Sequence, residues 1–268
     1  MSTAGIDQFF AQIGPYLHGA SSYEQTVQAL YGESAAGAAA IHAKRLAIYG
    51  RFCAQQRREA LKVFENTEAA INRHTPQVAG SETAWEHWVE RYFVAHPMHH
   101  FEINQNGEFL PEFLAAAVAA EPTALPPYIA ELADFEWWEW LVSTAPDAEG
   151  EDGADQGPLR LSATVDLRPY SYDFLSWLDS EPEERGAAPE AESSIVVFWR
   201  DRSLRGRRGR AEPLELVIVK AILEGLTIDA ELAARVGADW SSLAETLSDL
   251  HAAGIVLGDL GDLNEAGS

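Results

Sequence analysis

The apolar residues change their spacing near Gly157, and this change constrains the fold more than any other feature of the sequence. Before Ala145 they recur at helical intervals, as in Ile48, Phe52, Ala60 and Phe64. After Gly157 they alternate with polar residues over residues 159–167, which is the period of a strand with one buried face. The sequence therefore predicts an α+β fold, mainly α, in which an N-terminal helical bundle precedes a domain with a small antiparallel sheet.

Two acidic segments poor in bulky apolar residues, 145–157 and 181–192, divide the chain. Neither can bury enough apolar surface to offset the entropy of ordering it. We predict a helical domain at residues 1–145, an acidic linker at 146–157 and a second domain at 158–268. Residues 181–192 would form an acidic surface loop of that second domain.

Helical spacing in the first domain predicts a long helix that reaches Phe64 and then a series of shorter ones. The shorter helices are expected over residues 6–17, 23–31, 68–74, 82–93, 109–119 and 128–142.

The second domain carries the signals of a winged helix. A strand is predicted over residues 194–200, a weaker one after the turn at 201–203, and a helix that ends at Gly225. Thr227 or Asp229 can cap one further short helix, which Gly237 can end, and Asp239 can cap another. Two short helices joined by a glycine-containing turn, preceded by strands and a helix, predict a winged-helix-like domain.

Charge disfavours DNA as its ligand. The formal net charge is −23, and the helix that would enter the major groove, residues 240–253, contains Glu245 and Asp249 but no lysine or arginine. The sequence also lacks an apolar run long enough to span a membrane and a secretion signal, and it has the single cysteine Cys53. We therefore expect a cytoplasmic protein with no membrane partner and little affinity for nucleic acid.

Positive charge is concentrated in one segment. Six arginines lie within residues 200–210, opposed only by Asp201. They predict either a solvated strand edge whose charge prevents aggregation, an edge that binds an extended acidic peptide, or a wing that contacts nucleic acid. The third alternative is weakened because no aromatic residue is interleaved for stacking. The candidate peptide-binding residues are Arg205, Arg207, Arg208 and Arg210.

The segment of residues 128–142 carries two apolar stripes at helical spacing. One stripe suffices to dock the helix on a core. The second, formed by Phe135, Trp138 and Val142, must meet another helix, the second domain or a separate protein. Burial within the chain is the commoner explanation, and a partner-protein interface is the alternative.

The sequence contains no recognisable catalytic motif. His96, His99 and His100 could suggest a metal site, but Pro97 prevents a regular helix from presenting His96 and His100 on one face. No carboxylate apart from Glu102 lies at ligand spacing, so a solvated loop is expected. Cys53 lies on the apolar side of its helix, where a buried thiol is usual. We predict no catalytic residue, no metal site and no enzymatic activity in this chain.

Several segments in order resemble the DUF2063 (HvfC-type) family. They are KRLAIYGRF at residues 44–52, VAHP at 94–97, GEFLPEFL at 107–114 and LPPYIAELADFEW at 125–137, with VVFWRD at 196–201 as a looser match. The resemblance implies a partner subunit of multinuclear non-heme iron oxidases of the DUF692 type, which modify ribosomally made precursor peptides. The chain would bind the precursor's leader, and the iron would belong to the oxidase, with no cofactor in this chain. A DNA-binding transcriptional regulator is the alternative function.

Overall fold

The computed structural model describes residues 25–26, 28–29, 48, 50–74, 83–146, 155–181, 185–186 and 188–261. The chain is mainly helical with small antiparallel sheets, as the sequence predicts. It divides into two compact units, residues 1–137 and 138–268, and the division falls inside a helix. The predicted helix at 6–17 and most of the predicted linker at 146–157 lie outside the described residues.

The first unit is helical. Residues 50–60 form a helix, and a 3-10 turn at Lys62–Phe64 leads into α1 (Glu65–His74). Helices α2 (Ala84–Ala95), α3 (Leu110–Ala120) and α4 (Ile129–Thr144) follow, with a second 3-10 turn at Ile103–Gly107 between α2 and α3. Large side chains that are almost fully buried fill the core: Phe64, Ile71, Trp88, Tyr92, Phe93, Leu110, Leu114 and Phe135.

The helix predicted to reach Phe64 ends at residue 60, and the first described residues of its apolar ladder are exposed. Leu61 accepts a hydrogen bond from the amide of Phe64 at 3.0 Å, so the helix tightens into a 3-10 turn that buries both side chains. Towards its start, Ile48 is 49% exposed and Phe52 is 57% exposed. Only the later part of the predicted apolar ladder therefore packs in the core.

The described residues of the second unit contain five strands in two antiparallel sheets. Strand β1 (Arg160–Leu161) pairs with β5 (Val256–Leu257). Strands β2 (Asp166–Tyr170), β3 (Ser194–Arg200) and β4 (Gly206–Arg210) form a three-stranded sheet with β3 in the centre. Helix α5 (Phe174–Asp179) connects β2 to β3, and helices α6 (Pro213–Glu224), α7 (Ala230–Val236) and α8 (Trp240–Ala252) lie between β4 and β5 in the chain.

The predicted strand at 159–167 is wrong, because those residues belong to two strands in different sheets. The amide of Val165 donates to the carbonyl of Ser162 at 3.1 Å, and this turn separates β1 from β2. Ser162, predicted on the polar face, is only 6% exposed. Alternation of polar and apolar residues gives the strand period but not the strand's partner.

The predicted caps of α6, α7 and α8 are confirmed, whereas the short helix α5 was not predicted. Asp229 and Asp239 accept hydrogen bonds at 2.9 Å from the amides of Leu232 and Ser242, and each residue is the N-cap of its helix. Gly225 and Gly237 end α6 and α7 with φ of 66° and 74°, the left-handed conformation that glycine adopts without strain. In the part of the chain that the structure describes, every helix is too short or too polar to cross a lipid bilayer.

Candidate functional site

Strand β4 is one edge of the three-stranded sheet. The amide of Asp201 donates a hydrogen bond to the carbonyl of Arg205, and the amide of Ala211 donates one to the carbonyl of Ile195. These two bonds show which residue pairs of the β3–β4 ladder are hydrogen-bonded. Hydrogen bonding alternates along an antiparallel strand, so the backbone amides and carbonyls between those pairs point away from β3. The outward-pointing positions are Gly206, Arg208 and Arg210.

Strand β2 is the opposite edge and is chemically different. Its pairing with β3 directs the backbone of Asp166, Arg168 and Tyr170 towards β3 and that of Leu167 and Pro169 outward. Proline has no amide hydrogen, so the outward row of β2 lacks a donor at that position. An added strand would therefore find a more regular row of backbone groups on β4 than on β2.

A compact turn joins β3 to β4. The carboxylate of Asp201 accepts hydrogen bonds from the amide and hydroxyl of Ser203 and from the amide of Arg205, at 2.6 to 3.1 Å. The Ser203 hydroxyl and the Arg207 guanidinium, with Nε 2.6 Å from Oδ2, hold the pKa of Asp201 well below its usual range. Leu204 has φ of 63°, as is common in the last residue of a three-residue hairpin loop. Asp201 therefore rigidifies the hairpin and neutralises one of its arginines.

Arg208 is held by two carboxylates of the second unit. Its Nη1 lies 2.9 and 2.8 Å from the two oxygens of Glu139 on α4, and its Nη2 lies 3.0 Å from Asp179 at the end of α5. The side chain is 21% exposed. Gly206 lies on the same face, where a Cβ atom would fall 2.1 Å from the Ser143 hydroxyl. This face of β4 therefore packs on residues of α4 and leaves no room for a larger side chain at position 206.

Arg210 is paired with the acidic segment 181–192. It forms ion pairs with Glu192 and, at 3.3 Å, with Asp173. Burial alone would raise the pKa of Asp173, but the hydrogen bonds from Ser176, and after them the charge of Arg210, hold that pKa below its usual range. Other described residues of the segment lie along α5, where the Trp177 indole donates to the carbonyl of Gly186 at 3.0 Å. An acidic residue of the chain itself thus occupies the end of the arginine-rich strand.

The remaining arginines differ in their contacts. Arg202 forms a two-pronged ion pair with Asp155, at 2.6 and 3.1 Å, and Arg200 donates to the carbonyl of Ala145. Arg205 is exposed, and its side chain has no ion pair with any residue that the structure describes. Most of the predicted arginine cluster is therefore neutralised by internal carboxylates, and Arg205 is the exposed arginine that no described carboxylate neutralises.

A cleft of 620 Å³ opens where β4 ends. Pro169, Ser194, Ile195 and Arg210 line it, together with Leu216 of α6. Its lining includes the residues that follow β4 and combines apolar walls with the guanidinium of Arg210 and the carboxylate of Glu212. A side chain carried by a strand paired along β4 would have this cleft within reach.

The predicted groove-reading helix, α8, keeps its carboxylates on the surface. Glu245 and Asp249 are exposed, whereas Leu243, Leu247 and Leu250 face the core of the second unit. Its exposed surface therefore repels phosphate.

The predicted partner-interface residues are mostly buried. Phe135 is fully buried in the first unit, and Val142 is 5% exposed in the second. Trp138 is half-buried, with the Arg168 guanidinium 4.8 Å from the centre of its ring. Two residues of the second apolar stripe, Phe135 and Val142, are therefore buried within the chain. Trp138 is the residue of the stripe whose side chain remains partly accessible.

The three histidines separate into two environments. His96 stacks on Tyr92 and Phe109, with ring centres 5.0 and 5.4 Å apart, and belongs to an aromatic cluster. His99 and His100 lie in the loop that follows, and Nε2 of His100 is 3.3 Å from a carboxylate oxygen of Glu108. Sequence spacing did not indicate Glu108, because the 3-10 turn at Ile103–Gly107 brings it back to the histidines.

No protein-family model and no curated protein matches the sequence.

Proposed function

We propose that the chain is a non-catalytic binding subunit that takes up an extended precursor peptide along β4 and presents it to a modifying enzyme. The observation that carries the proposal is the unequal pair of sheet edges: β4 offers an outward row of backbone groups, and β2 is interrupted by Pro169. Strand addition to an exposed edge is a general mode of peptide recognition. The order of the three-stranded sheet followed by α6, α7 and α8 supports a winged-helix-like domain over residues 158–268.

The arginines determine which peptide fits this edge. Glu139, Asp179 and Glu192 already bind Arg208 and Arg210, so an acidic peptide would exchange its carboxylates for those of the chain. Exchange of equivalent ion pairs adds specificity more than affinity. Backbone pairing would then supply most of the binding energy, and Arg205 would attract the peptide through its unneutralised charge.

The family resemblance of the sequence is the basis for the enzyme that we propose as the partner. It supports a multinuclear non-heme iron oxidase of the DUF692 type as the partner, with the iron bound by the oxidase and both proteins in the cytoplasm. Of the three residues proposed for the partner interface, Trp138 is the one whose side chain is accessible, and it would contact the oxidase.

Two substitutions at one position test the strand addition. Arg208→Ala and Arg208→Pro lose the same ion pairs, but only the proline variant also loses the outward amide donor. Fluorescence anisotropy with a labelled peptide, taken from the short open reading frames beside the gene, should give an affinity about tenfold lower for Arg208→Pro than for Arg208→Ala. Equal affinities would refute backbone pairing along β4.

A second measurement covers the case in which the proline variant does not fold. Hydrogen exchange of the wild-type amides at Gly206, Arg208 and Arg210 should slow when the peptide is added. For the charge, Arg205→Glu should weaken binding, whereas the matched control Arg235→Glu, an exposed arginine on α7, should not. Unchanged exchange at all three amides would also refute the proposal.

A mobility-shift titration separates peptide binding from DNA binding. Duplex DNA should give no shift at physiological salt, because the exposed residues of α8 are acidic. A complex whose affinity falls steeply with salt would instead favour a transcriptional regulator.

A further inference from the structure

The loop between α2 and α3 brings three potential metal ligands together. His99, His100 and Glu108 each offer one ligand atom, and these atoms all lie within 4.8 Å of one another. The group lies in the first unit and takes no part in the proposed peptide binding.

Asn106 fixes the backbone of this loop. Its side-chain oxygen accepts hydrogen bonds from the amides of His99 and His100 at 2.8 and 2.9 Å. Its side-chain nitrogen donates to the carbonyls of His100 and Ile103 at 3.1 and 3.0 Å. Asn106 is only 4% exposed, and its own carbonyl accepts from the hydroxyl of Tyr92 in the core. The two histidines are therefore held next to each other by a buried residue before any ligand binds.

The imidazole contacts suit coordination. Nδ1 of His99 lies 3.2 Å from the carbonyl of Pro97, and donation there assigns the proton to Nδ1 and leaves the Nε2 lone pair for a ligand. Nε2 of His100 and Oε1 of Glu108 are 3.3 Å apart. In a tetrahedral zinc site, a nitrogen ligand and an oxygen ligand at their usual bond lengths from the metal lie about 3.3 Å from each other. One pair of ligand atoms is therefore already at coordination distance.

We propose that His99, His100 and Glu108 form a binding site for a divalent transition-metal ion, with Zn²⁺ as the best match. Two imidazoles and one carboxylate are a donor set that zinc accepts with a fourth, open position. His99 is exposed, so its ring can turn towards the other two ligands without disturbing the core. The open position faces solvent and would hold water.

Cobalt binding tests the site directly. Untagged full-length protein titrated with Co²⁺ should show the intense visible absorption of a tetrahedral ion, saturating at one equivalent and abolished by Zn²⁺. His100→Ala and Glu108→Gln should each weaken Co²⁺ binding by about tenfold or more. The matched control is His87→Ala on α2, a half-buried histidine that packs against Trp88 and should leave binding unchanged.

Three results would overturn the proposal. They are the absence of tetrahedral absorption with the wild-type protein, equal losses in His87→Ala and His100→Ala, and binding that survives in the double variant of His99 and His100. The first result would identify the His100–Glu108 contact as an ion pair alone. Circular dichroism of each variant shows that a lost signal reflects the ligands and not unfolding, because neither His99 nor His100 is buried in the core.

Discussion

Glu136 offers the sharpest test of how the first unit is stabilised. It lies on α4, is 5% exposed and receives four hydrogen bonds from the start of α1. One oxygen accepts from the amide and side chain of Asn66 at 2.7 and 2.9 Å, and the other accepts from the amide and hydroxyl of Thr67 at 2.9 and 2.7 Å. A side chain distant in sequence therefore caps this helix, whose first amides have no partner within it.

The pKa of Glu136 determines how much the free energy of unfolding changes with pH. Burial outweighs these hydrogen bonds and raises the pKa from 4.5 to about 7. Between those values the folded chain holds a proton that the unfolded chain has released, so the free energy of unfolding decreases as pH rises. At about 1.4 kcal/mol per pKa unit, the stability fully present below pH 4.5 falls by about 3 kcal/mol when the pH has passed 7.

Glu136→Gln isolates this contribution. A protonated carboxyl keeps an acceptor on each oxygen, whereas the amide nitrogen of glutamine accepts nothing, so the variant should be less stable than wild type by about 1–3 kcal/mol at pH 5. Urea unfolding across pH 4.5 to 8, followed by tryptophan fluorescence, should show that this difference declines by about 3 kcal/mol. The matched control is Glu112→Gln, at an exposed glutamate on α3. Its difference from wild type in the free energy of unfolding should be the same across this pH range. A pH-independent difference for Glu136→Gln would refute the reasoning.

Two further substitutions address the second unit. Asp229→Ala removes the N-cap of the seven-residue helix α7 and should lower the free energy of unfolding by about 1 kcal/mol in urea titrations, whereas Asp229→Asn should keep most of it. Gly206→Ala places a Cβ atom against Ser143 and should destabilise by about 1–3 kcal/mol, with partial rescue when Ser143 is changed to glycine; a neutral Gly206→Ala, measured by thermal unfolding, would contradict that packing.

Local signals explain why parts of the fold are predictable from sequence. Asp229, Gly237 and Asp239 act on backbone groups within a few residues of themselves, so the bounds of α7 and α8 follow from the sequence. Strand β3 has the predicted bounds because its β-branched and aromatic run is buried in the centre of a sheet. The predicted strand at 159–167 failed because its two halves pair with strands far apart in the sequence.

The candidate sites depend even more on contacts between residues far apart in the sequence. Arginine spacing located the positive strand, but its neutralising partners, Glu139 and Asp179, lie 69 and 29 residues away from Arg208. Glu108 was missed as a possible ligand because a 3-10 turn, and not helical spacing, returns it to His100. Tertiary contacts of this kind depend on packing that one sequence does not reveal.

The single proline of β2 also has a consequence for self-association. Sheets that offer complete rows of donors and acceptors on both sides can join end to end without limit, which is how fibrils grow. With Pro169 on one side of this three-stranded sheet, the regular edge through which two copies can pair is β4, as a two-fold pair. Such a pair leaves no second β4 edge for a third copy, so growth through this edge stops at two chains.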